Sequence, residues 1–261
     1  MSKKHLRIFI AVLVFMIALP AAVVALIHLN EGSSGEDVRD GYVIIAGALF
    51  NTSATELELS GWARGELQNE DIMYLRYMVN LTKLHLTSGQ IDDLTPLAEL
   101  TNLTELYLFR NEISDITPLA GLTNLTELLL NDNQIYDITP LAELTNLEVL
   151  RLSGNEIYDL TPLSGLTNLT YLTLGSNQIS DIKPLAGLTG LETLWLWHNQ
   201  IQDITPLAGL TDLTYTWLSH NQISDITPLA GLSNFINLFL DDNPIVDWSP
   251  VDHVPIVHGR P

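Results

Sequence analysis

Leucine and isoleucine recur at fixed positions of a 22-residue pattern along most of the chain. Residues 102–123 read NLTELYLFRNEISDITPLAGLT, and variants of this phrase begin at Asn80, Asn124, Asn146, Asn168, Gly190, Asp212 and Asn234. Eight prolines at 22-residue intervals, from Pro96 to Pro250, keep the register without insertion or deletion. A fixed period of this length predicts a repeat architecture, in which each copy stacks on the next.

Each copy contains signals for one strand and two turns. The alternation at Leu106, Tyr107 and Leu108 predicts a short strand with the leucines inward and Tyr107 outward. Asn111 is expected to turn the chain and to bond the backbone of neighbouring coils, forming a ladder with its equivalents. Thr117-Pro118 predicts an N-cap and the first position of a short 3₁₀ or helical turn. No copy buries its apolar face alone, so a parallel-stranded solenoid is expected.

The phrase N-L-T-x-L-x-L-x-x-N-x-I-x-D-I-T-P-L-A-x-L resembles the leucine-rich repeat of bacterial internalins and related surface proteins. The resemblance covers about two thirds of the chain. It implies an α/β repeat fold, a curved right-handed coil with a concave parallel β-sheet and short 3₁₀ or helical turns on the convex side. It also implies binding to proteins outside the cell, without identifying the partner.

The amino terminus lies outside the repeats and is typical of a targeting segment. Residues 1–7 are basic, and residues 8–27 form a run without a charge that is long enough to cross a bilayer core of about 30 Å. Basic residues before such a run favour leaving that end in the cytoplasm. We therefore predict an uncleaved signal anchor with the repeats extracytoplasmic. Cleavage as a signal peptide, followed by secretion, is the alternative.

The rest of the chain divides by composition. Residues 28–37 are small and polar and predict a linker. Residues 38–79 predict an N-terminal cap with a degenerate repeat, in which residues 38–50 are interpreted as a capping helix. The 22-residue repeats occupy residues 80–243, and residues 244–261 predict a C-terminal cap, since solenoids need atypical ends to cover the core.

Charge and composition exclude several functions. The 31 acidic and 11 basic residues give a formal charge of −20, which disfavours nucleic acid as a partner and limits expected membrane contact to the N-terminal helix. The absence of cysteine excludes disulfides and thiolate metal sites. The sequence has no Gly-rich phosphate loop, H-E-x-x-H or G-x-S-x-G motif, so we predict neither an enzyme nor a cofactor.

Two columns of polar residues raise the question of metal binding. Eight aspartates at 22-residue intervals, from Asp93 to Asp247, suggest either a calcium-binding ridge or carboxylates that bond local backbone N–H groups. We favour the structural interpretation. His198, His220 and Asp242 occupy one column of adjacent repeats and are candidate zinc ligands, although solvated edge residues are the more common case.

The outward positions of the strands are free to vary without damaging the core. Six aromatic residues at these positions converge on neighbouring strands, which lie about 4.8 Å apart; they are Tyr171, Trp195, Trp197, Tyr215, Trp217 and Phe239. We predict that this group, the aromatic patch, contacts the ligand. A smaller group near the other end is a candidate secondary contact: His85, Tyr107, Phe109 and Arg110.

Three functions remain open from the sequence. The first is an extracytoplasmic module that binds a protein ligand through its concave face. The second is a protein that binds carbohydrate or cell envelope through the same aromatic patch, because tryptophan and tyrosine faces also stack on sugars. The third is a regulator of an enzyme, which the targeting segment disfavours. Thr216, at a core leucine position, has no functional interpretation.

Overall fold

A computed structural model describes residues 38–39, 41–59 and 67–261 of the chain. By its contacts the chain divides into two units, Met1–Arg39 and Asp40–Pro261. The described part of the first unit is strand β1, Val38–Arg39. The predicted basic segment, anchor and linker, residues 1–37, lie outside the described residues. Within the described ranges, no helix is long and apolar enough to cross a membrane.

The second unit begins with a β-hairpin. Strands β2 (Tyr42–Ile45) and β3 (Ala48–Asn51) pair antiparallel. The capping helix predicted for residues 38–50 is therefore wrong. Val43 and Ile45 alternate with half-buried neighbours, which is strand periodicity. Ala46 and Gly47 both have positive φ, at 50° and 73°, as a two-residue type I′ hairpin turn requires.

A ten-stranded parallel sheet follows in sequence order, with each strand pairing with the next. Its strands are β4 Glu56–Glu58, β5 Lys83–His85, β6 Glu105–Tyr107, β7 Glu127–Leu129, β8 Val149–Arg151, β9 Tyr171–Thr173, β10 Thr193–Trp195, β11 Tyr215–Trp217, β12 Asn237–Phe239 and β13 Val257–His258. Residues 22 positions apart face each other, as in the pairs Leu84–Leu106 and Leu106–Leu128. This register confirms the predicted leucine-rich-repeat solenoid.

Short helices return the chain between strands. They are α1 Asn69–Ile72 and the 3₁₀ helices η1 Met73–Tyr77, η2 Thr95–Leu97, η3 Thr117–Leu119, η4 Thr139–Leu141, η5 Thr161–Leu163, η6 Lys183–Gly187, η7 Thr205–Gly209, η8 Thr227–Leu229 and η9 Ser249–Val251. A proline occupies the first turn of each helix from η2 to η9. The leucines and isoleucines of the repeat are buried between these turns and the sheet.

The asparagine ladder forms as predicted. Asn111 Nδ2 donates to the Leu86 carbonyl at 2.8 Å and the Leu108 carbonyl at 2.9 Å, and its Oδ1 accepts from the Ile91 amide at 3.3 Å. The same three-way contact recurs at Asn133, Asn155, Asn177, Asn199, Asn221 and Asn243. Each amide therefore ties its own coil to the preceding one and satisfies buried backbone groups.

The aspartate column fixes the start of the 3₁₀ turns. Asp115 Oδ1 accepts a hydrogen bond from the Thr117 amide at 2.8 Å, and Asp137 does the same for Thr139. The residue preceding η3 is Ile116, and no side chain caps that helix, so the prediction of Thr117 as N-cap is wrong. The Asp115 carboxylate, one residue before the N-cap position, instead accepts a hydrogen bond from the Thr117 amide in an Asx turn and so satisfies a free N–H group at the start of η3.

These hydrogen bonds lower the pKa of the aspartates. The hydroxyl and then the amide of Thr139 hold the pKa of Asp137 below its ordinary value, and the corresponding threonines act alike on Asp115 and Asp159. A carboxylate whose pKa is lowered by folding stabilises the fold above its unfolded pKa, about 3.9, and loses that contribution as pH falls through the folded value. We expect the thermal unfolding midpoint to fall below about pH 4.

A triple variant, Asp115→Asn, Asp137→Asn and Asp159→Asn, should show a smaller drop of the thermal unfolding midpoint at low pH. The asparagine side-chain oxygen accepts the same hydrogen bond but does not titrate. Differential scanning calorimetry between pH 7 and pH 2.5 measures the effect.

The control for that variant replaces three exposed acids outside the column, Glu112, Glu143 and Glu156, by glutamine. It removes the same formal charge and should leave the pH dependence close to that of the wild type. An identical pH profile in all three proteins would contradict the structural role of the column.

Thr216 places a polar side chain without a hydrogen-bond partner in the core of the described repeats. It is 1% exposed, lies between Leu194 and Leu238 in the sheet, and its Oγ1 has no hydrogen-bond partner within the described part of the chain. An unpaired buried hydroxyl is destabilising because it loses its bond to water without replacement. This residue lies directly beneath the outward positions of β11, between Tyr215 and Trp217.

We expect Thr216→Val, which keeps the shape and removes the hydroxyl, to raise the free energy of unfolding by about 1 kcal/mol. Urea denaturation measures it. Thr214→Val is the matched control, since the Thr214 hydroxyl donates to the Glu192 carbonyl at 3.0 Å. That variant should show no gain, and a loss of stability in Thr216→Val would refute the cost of the unpaired hydroxyl.

Candidate ligand-binding face

The outward side of the sheet collects side chains from equivalent positions of successive repeats. Trp195 on β10 pairs with Trp217 on β11, and Trp217 pairs with Phe239 on β12. Tyr171 and Tyr215 occupy the preceding outward position on β9 and β11. Because the core leucines hold the strands in register, these side chains are presented together on one rigid surface.

Five of the six residues of the aromatic patch are in ring contact. The ring centroids of Tyr171 and Trp195 lie 5.9 Å apart, those of Trp195 and Trp217 5.8 Å, those of Trp197 and Trp217 5.7 Å, and those of Trp217 and Phe239 5.1 Å. All five side chains are half-buried. These separations are within the range of favourable aromatic pairs.

Tyr215 is the exception. It lies on the same face and is 42% exposed, but no ring contact joins it to the other five within the described residues. The structure therefore places a continuous aromatic surface along β9 to β12 with one separate tyrosine beside it.

Trp217 is the centre of the patch and is fixed by hydrogen bonds as well as by ring contacts. Its Nε1 donates to Ser219 Oγ at 2.9 Å, and that hydroxyl donates to Asp241 Oδ2 at 3.1 Å. Ser219 is 2% exposed, so water has little access to the hydroxyl that links Trp217 to Asp241. The indole is held in one orientation before any ligand arrives, which reduces the entropy lost on binding.

Trp197 lies over a position without a side chain. A Cβ added at Gly175, on the adjacent coil, would overlap the Trp197 indole at Nε1, Cε2 and Cδ1. The absence of a side chain at Gly175 therefore lets the ring lie close to the backbone and reach Trp217. In the sequence, the only sign of this close approach between Trp197 and Gly175 is a glycine at an outward position where the other repeats carry side chains.

We expect Gly175→Ala to displace the Trp197 ring and to change the near-ultraviolet circular dichroism of the tryptophan cluster. The loss of stability should be at the lower end of the overpacking range of about 1–3 kcal/mol, since the ring moves towards solvent. Gly165→Ala is the control, because a Cβ there has nothing within 4 Å. Identical spectra for both variants would contradict the close packing of Trp197 on Gly175.

Two residues that the sequence analysis missed extend the patch at its ends. The guanidinium carbon of Arg151 lies 4.8 Å from the centroid of the Tyr171 ring, and the His258 ring stacks on Phe239 with centroids 4.1 Å apart. Arg151 occupies the outward column and was therefore visible in the sequence. His258 lies on β13, outside the 22-residue register, and nothing in the repeat indicates that strand.

The predicted secondary contact is only partly assembled. His85 and Tyr107 stack with centroids 4.0 Å apart, and burial, followed by the nearby Glu127 carboxylate, raises the pKa of Tyr107 to about 12. Phe109 is half-buried and makes no ring contact with them in the described part of the chain. Arg110 lies in the turn after β6, with φ of 57°, and its Nε is 3.7 Å from Asp132.

The histidine column does not form a metal site. His198 and His220 stack with centroids 3.9 Å apart and an interplanar angle of 10°, so their nitrogens do not converge on one point. His220 Nδ1 lies 3.1 Å from Asp242 Oδ2. No group of three potential ligands is arranged for a metal ion among the described residues. The zinc hypothesis therefore gains no support from the geometry.

Comparisons with known proteins agree with this architecture. A family model described as leucine-rich repeats (2 copies) matches residues 79–121, 101–143, 123–165, 145–187 and 167–209. An internalin (inlF) from Listeria monocytogenes is 39% identical, with a TM-score of 0.75, covering 81% of this chain and 63% of that one. This chain therefore spans less than two thirds of that internalin structure. No curated protein sequence matches the chain.

A second internalin structure and a more distant one complete the comparison. Internalin C2 (inlC2) from Listeria monocytogenes is 41% identical, with a TM-score of 0.68, covering 70% of this chain and 82% of that one. The plant peptide hormone receptor RGFR1, solved in complex with RGF2, shares the fold alone, with 23% identity, a TM-score of 0.68 and coverage of 79% and 35%. The repeat model and the two internalins together show that this chain belongs to the leucine-rich-repeat family, and within it to the internalin-like proteins.

Proposed function

We propose that the chain is a non-catalytic, extracytoplasmic recognition protein that binds a protein partner through the aromatic patch. The observation that carries the proposal is the continuous ring surface from Tyr171 to Phe239, which is half-exposed and centred on Trp217. Tryptophan, tyrosine and arginine dominate the binding energy of protein interfaces, and they act best in rigid, well-packed clusters. Contiguous apolar patches at a protein surface commonly mark sites of interaction with a partner.

The proposed location is supported by the sequence and by the family. The internalin-like repeats agree with a role at the cell surface. We propose that residues 8–27 anchor the protein in the membrane, with the repeats on the extracytoplasmic side. N-terminal sequencing of the mature protein should find the intact amino terminus, whereas a start near Leu26 would replace the anchor by a cleaved signal peptide.

A carbohydrate ligand is the second candidate, because the half-buried indoles of Trp195 and Trp197 also suit stacking on sugar rings. The experiment that separates the two uses the full chain as bait on envelope and host-cell protein extracts, and in parallel on a glycan array. A double variant, Trp195→Ala and Trp217→Ala, serves as the control bait. Proteins retained by the wild type and lost by the variant support the proposal. Patch-dependent binding to glycans alone would overturn it.

A further inference from the structure

Among the described residues, the ten-stranded sheet carries one cation, Arg151, without a counter-charge. Within residues 41–59 and 67–261, Lys83, Arg110, Lys183 and Arg260 each lie within 4.0 Å of a carboxylate. Arg76 donates to the Met73 carbonyl at 2.9 Å. Arg151 has neither an ion pair nor a hydrogen bond to its guanidinium within that part of the chain.

The lack of a counter-charge at Arg151 is unexpected for this composition. The chain has 31 acidic residues for 11 basic ones, so an arginine at the surface has many carboxylates available as partners. On the neighbouring strand β7, Glu127 lies opposite Val149, and the Glu127 carboxylate and the Arg151 guanidinium both act on the Tyr107 hydroxyl. Among the described residues, no carboxylate lies within 4.0 Å of the Arg151 guanidinium.

The surroundings of Arg151 hold it in one place. Its register partners on the neighbouring strands, Leu129 and Thr173, are only 7% and 3% exposed, so the Arg151 side chain lies beside a surface that is closed to water. The guanidinium carbon is 4.8 Å from the Tyr171 centroid, at cation–π distance. Its Nε is shielded from solvent and has no hydrogen-bond partner within the described residues. Such a donor is incompletely satisfied in the unbound protein.

The position of Arg151 joins this cation to the aromatic patch. Tyr171 contacts Arg151 on one side and Trp195 on the other, where the ring centroids are 5.9 Å apart. A group that binds here contacts the planar guanidinium of Arg151 and, on the next strands, the rings of Tyr171 and Trp195. Guanidinium groups bind carboxylates through two parallel N–H···O bonds, which makes the recognition directional.

We infer that Arg151 and Tyr171 form a subsite for a carboxylate of the ligand, with an adjacent aromatic or aliphatic group of the same ligand on Trp195. The inference rests on the proposed function and commits to a polypeptide, whose acidic side chain or terminal carboxylate supplies the anion. The net charge of −20 repels anions at long range, so the subsite acts at contact and sets specificity rather than association rate.

The test uses a matched pair of small probes, N-acetylphenylalanine, which carries a carboxylate, and its neutral amide. The full chain in a non-ionic detergent is titrated with each, following tryptophan fluorescence and the Arg151 Nε–H resonance. We expect the acid to bind about tenfold more tightly than the amide, the effect of one charge-assisted contact. Arg151→Met, which keeps the apolar stem, should bind both probes equally. Arg151→Lys should recover part of the difference.

The control variant is Lys183→Met, which removes a cation already paired with Asp181 on the helical turns and should keep the tenfold preference. Equal affinity for acid and amide in the wild type, no detectable binding of either, or a preference that survives in Arg151→Met would overturn the subsite. If glucuronate bound more tightly than N-acetylphenylalanine, and if that binding required Arg151, the choice of a polypeptide ligand would be overturned. If both probes bind equally and Trp195→Ala abolishes both, the aromatic patch stands while the carboxylate subsite fails.

Discussion

Replacing Trp217 by alanine is expected to weaken binding of the partner by about 30-fold or more, which corresponds to about 2 kcal/mol. Trp217 contacts three other rings, those of Trp195, Trp197 and Phe239, at 5.1–5.8 Å. Its removal therefore takes away a large contact surface and also the neighbour against which the other rings are packed. Hot-spot residues at the centre of an interface have this effect because surrounding side chains exclude water from them.

The stability of the fold should change little in the same variant. The Trp217 side chain stands on the outward side of β11, whereas the core below is filled by leucines such as Leu194 and Leu238. Surface plasmon resonance against the partner found with the bait experiment measures the affinity, and thermal unfolding checks the fold. Equal affinity in Trp217→Ala and wild type would remove the patch as the binding site.

Two further variants sharpen the experiment. Trp217→Phe keeps an aromatic ring but loses the Nε1–H bond to Ser219, so we expect a smaller loss than for alanine. Tyr158→Ala removes an aromatic side chain that is 62% exposed in the loop between β8 and η5, and it should leave the affinity unchanged. Together they separate the effect of ring area and orientation from a general loss of surface aromatics.

Most of the fold was predictable because the same signal is repeated eight times. The spacing of 22 residues fixes both the strands and their register, so the pairing of Trp195 with Trp217 follows directly from the sequence. The hairpin at β2 and β3 was mispredicted because it occurs once, and its decisive feature, positive φ at Ala46 and Gly47, is a backbone property. Strand β13 was missed because Val257 pairs with Leu238 at a spacing shorter than the repeat.

The candidate site was only partly predictable for a different reason. Repeat register tells which residues share a face, but side-chain torsions decide which of them touch. Tyr215 belongs to the same face as Trp217 and still stands apart, while His258 joins the patch from outside the register. The relay from Trp217 through Ser219 to Asp241 depends on hydroxyl and carboxylate positions that the residue pattern does not specify.

A clear loss of stability is expected when an asparagine of the ladder is replaced, as in Asn155→Ala. Asn155 is 8% exposed and lies in the middle of the solenoid. Its Nδ2 donates to the carbonyls of Leu130 and Leu152, both at 3.0 Å, and its Oδ1 accepts from the Ile135 amide at 3.0 Å. Alanine would leave the Ile135 amide without its partner in a region closed to water, while the Leu130 and Leu152 carbonyls would each lose one of two amide donors and keep Asn133 and Asn177.

An unsatisfied buried group costs about 1–3 kcal/mol, so we expect Asn155→Ala to lower the free energy of unfolding by about 2 kcal/mol. Asn146→Ala is a control from the same repeat, because exposed Asn146 makes one hydrogen bond, to the Thr123 carbonyl at 2.9 Å, and should cost less than about 1 kcal/mol. Urea denaturation of both variants measures the difference. Similar losses in the two would mean that water replaces the Asn155 amide inside the turn, and the ladder would then guide the path of the chain without adding to its stability.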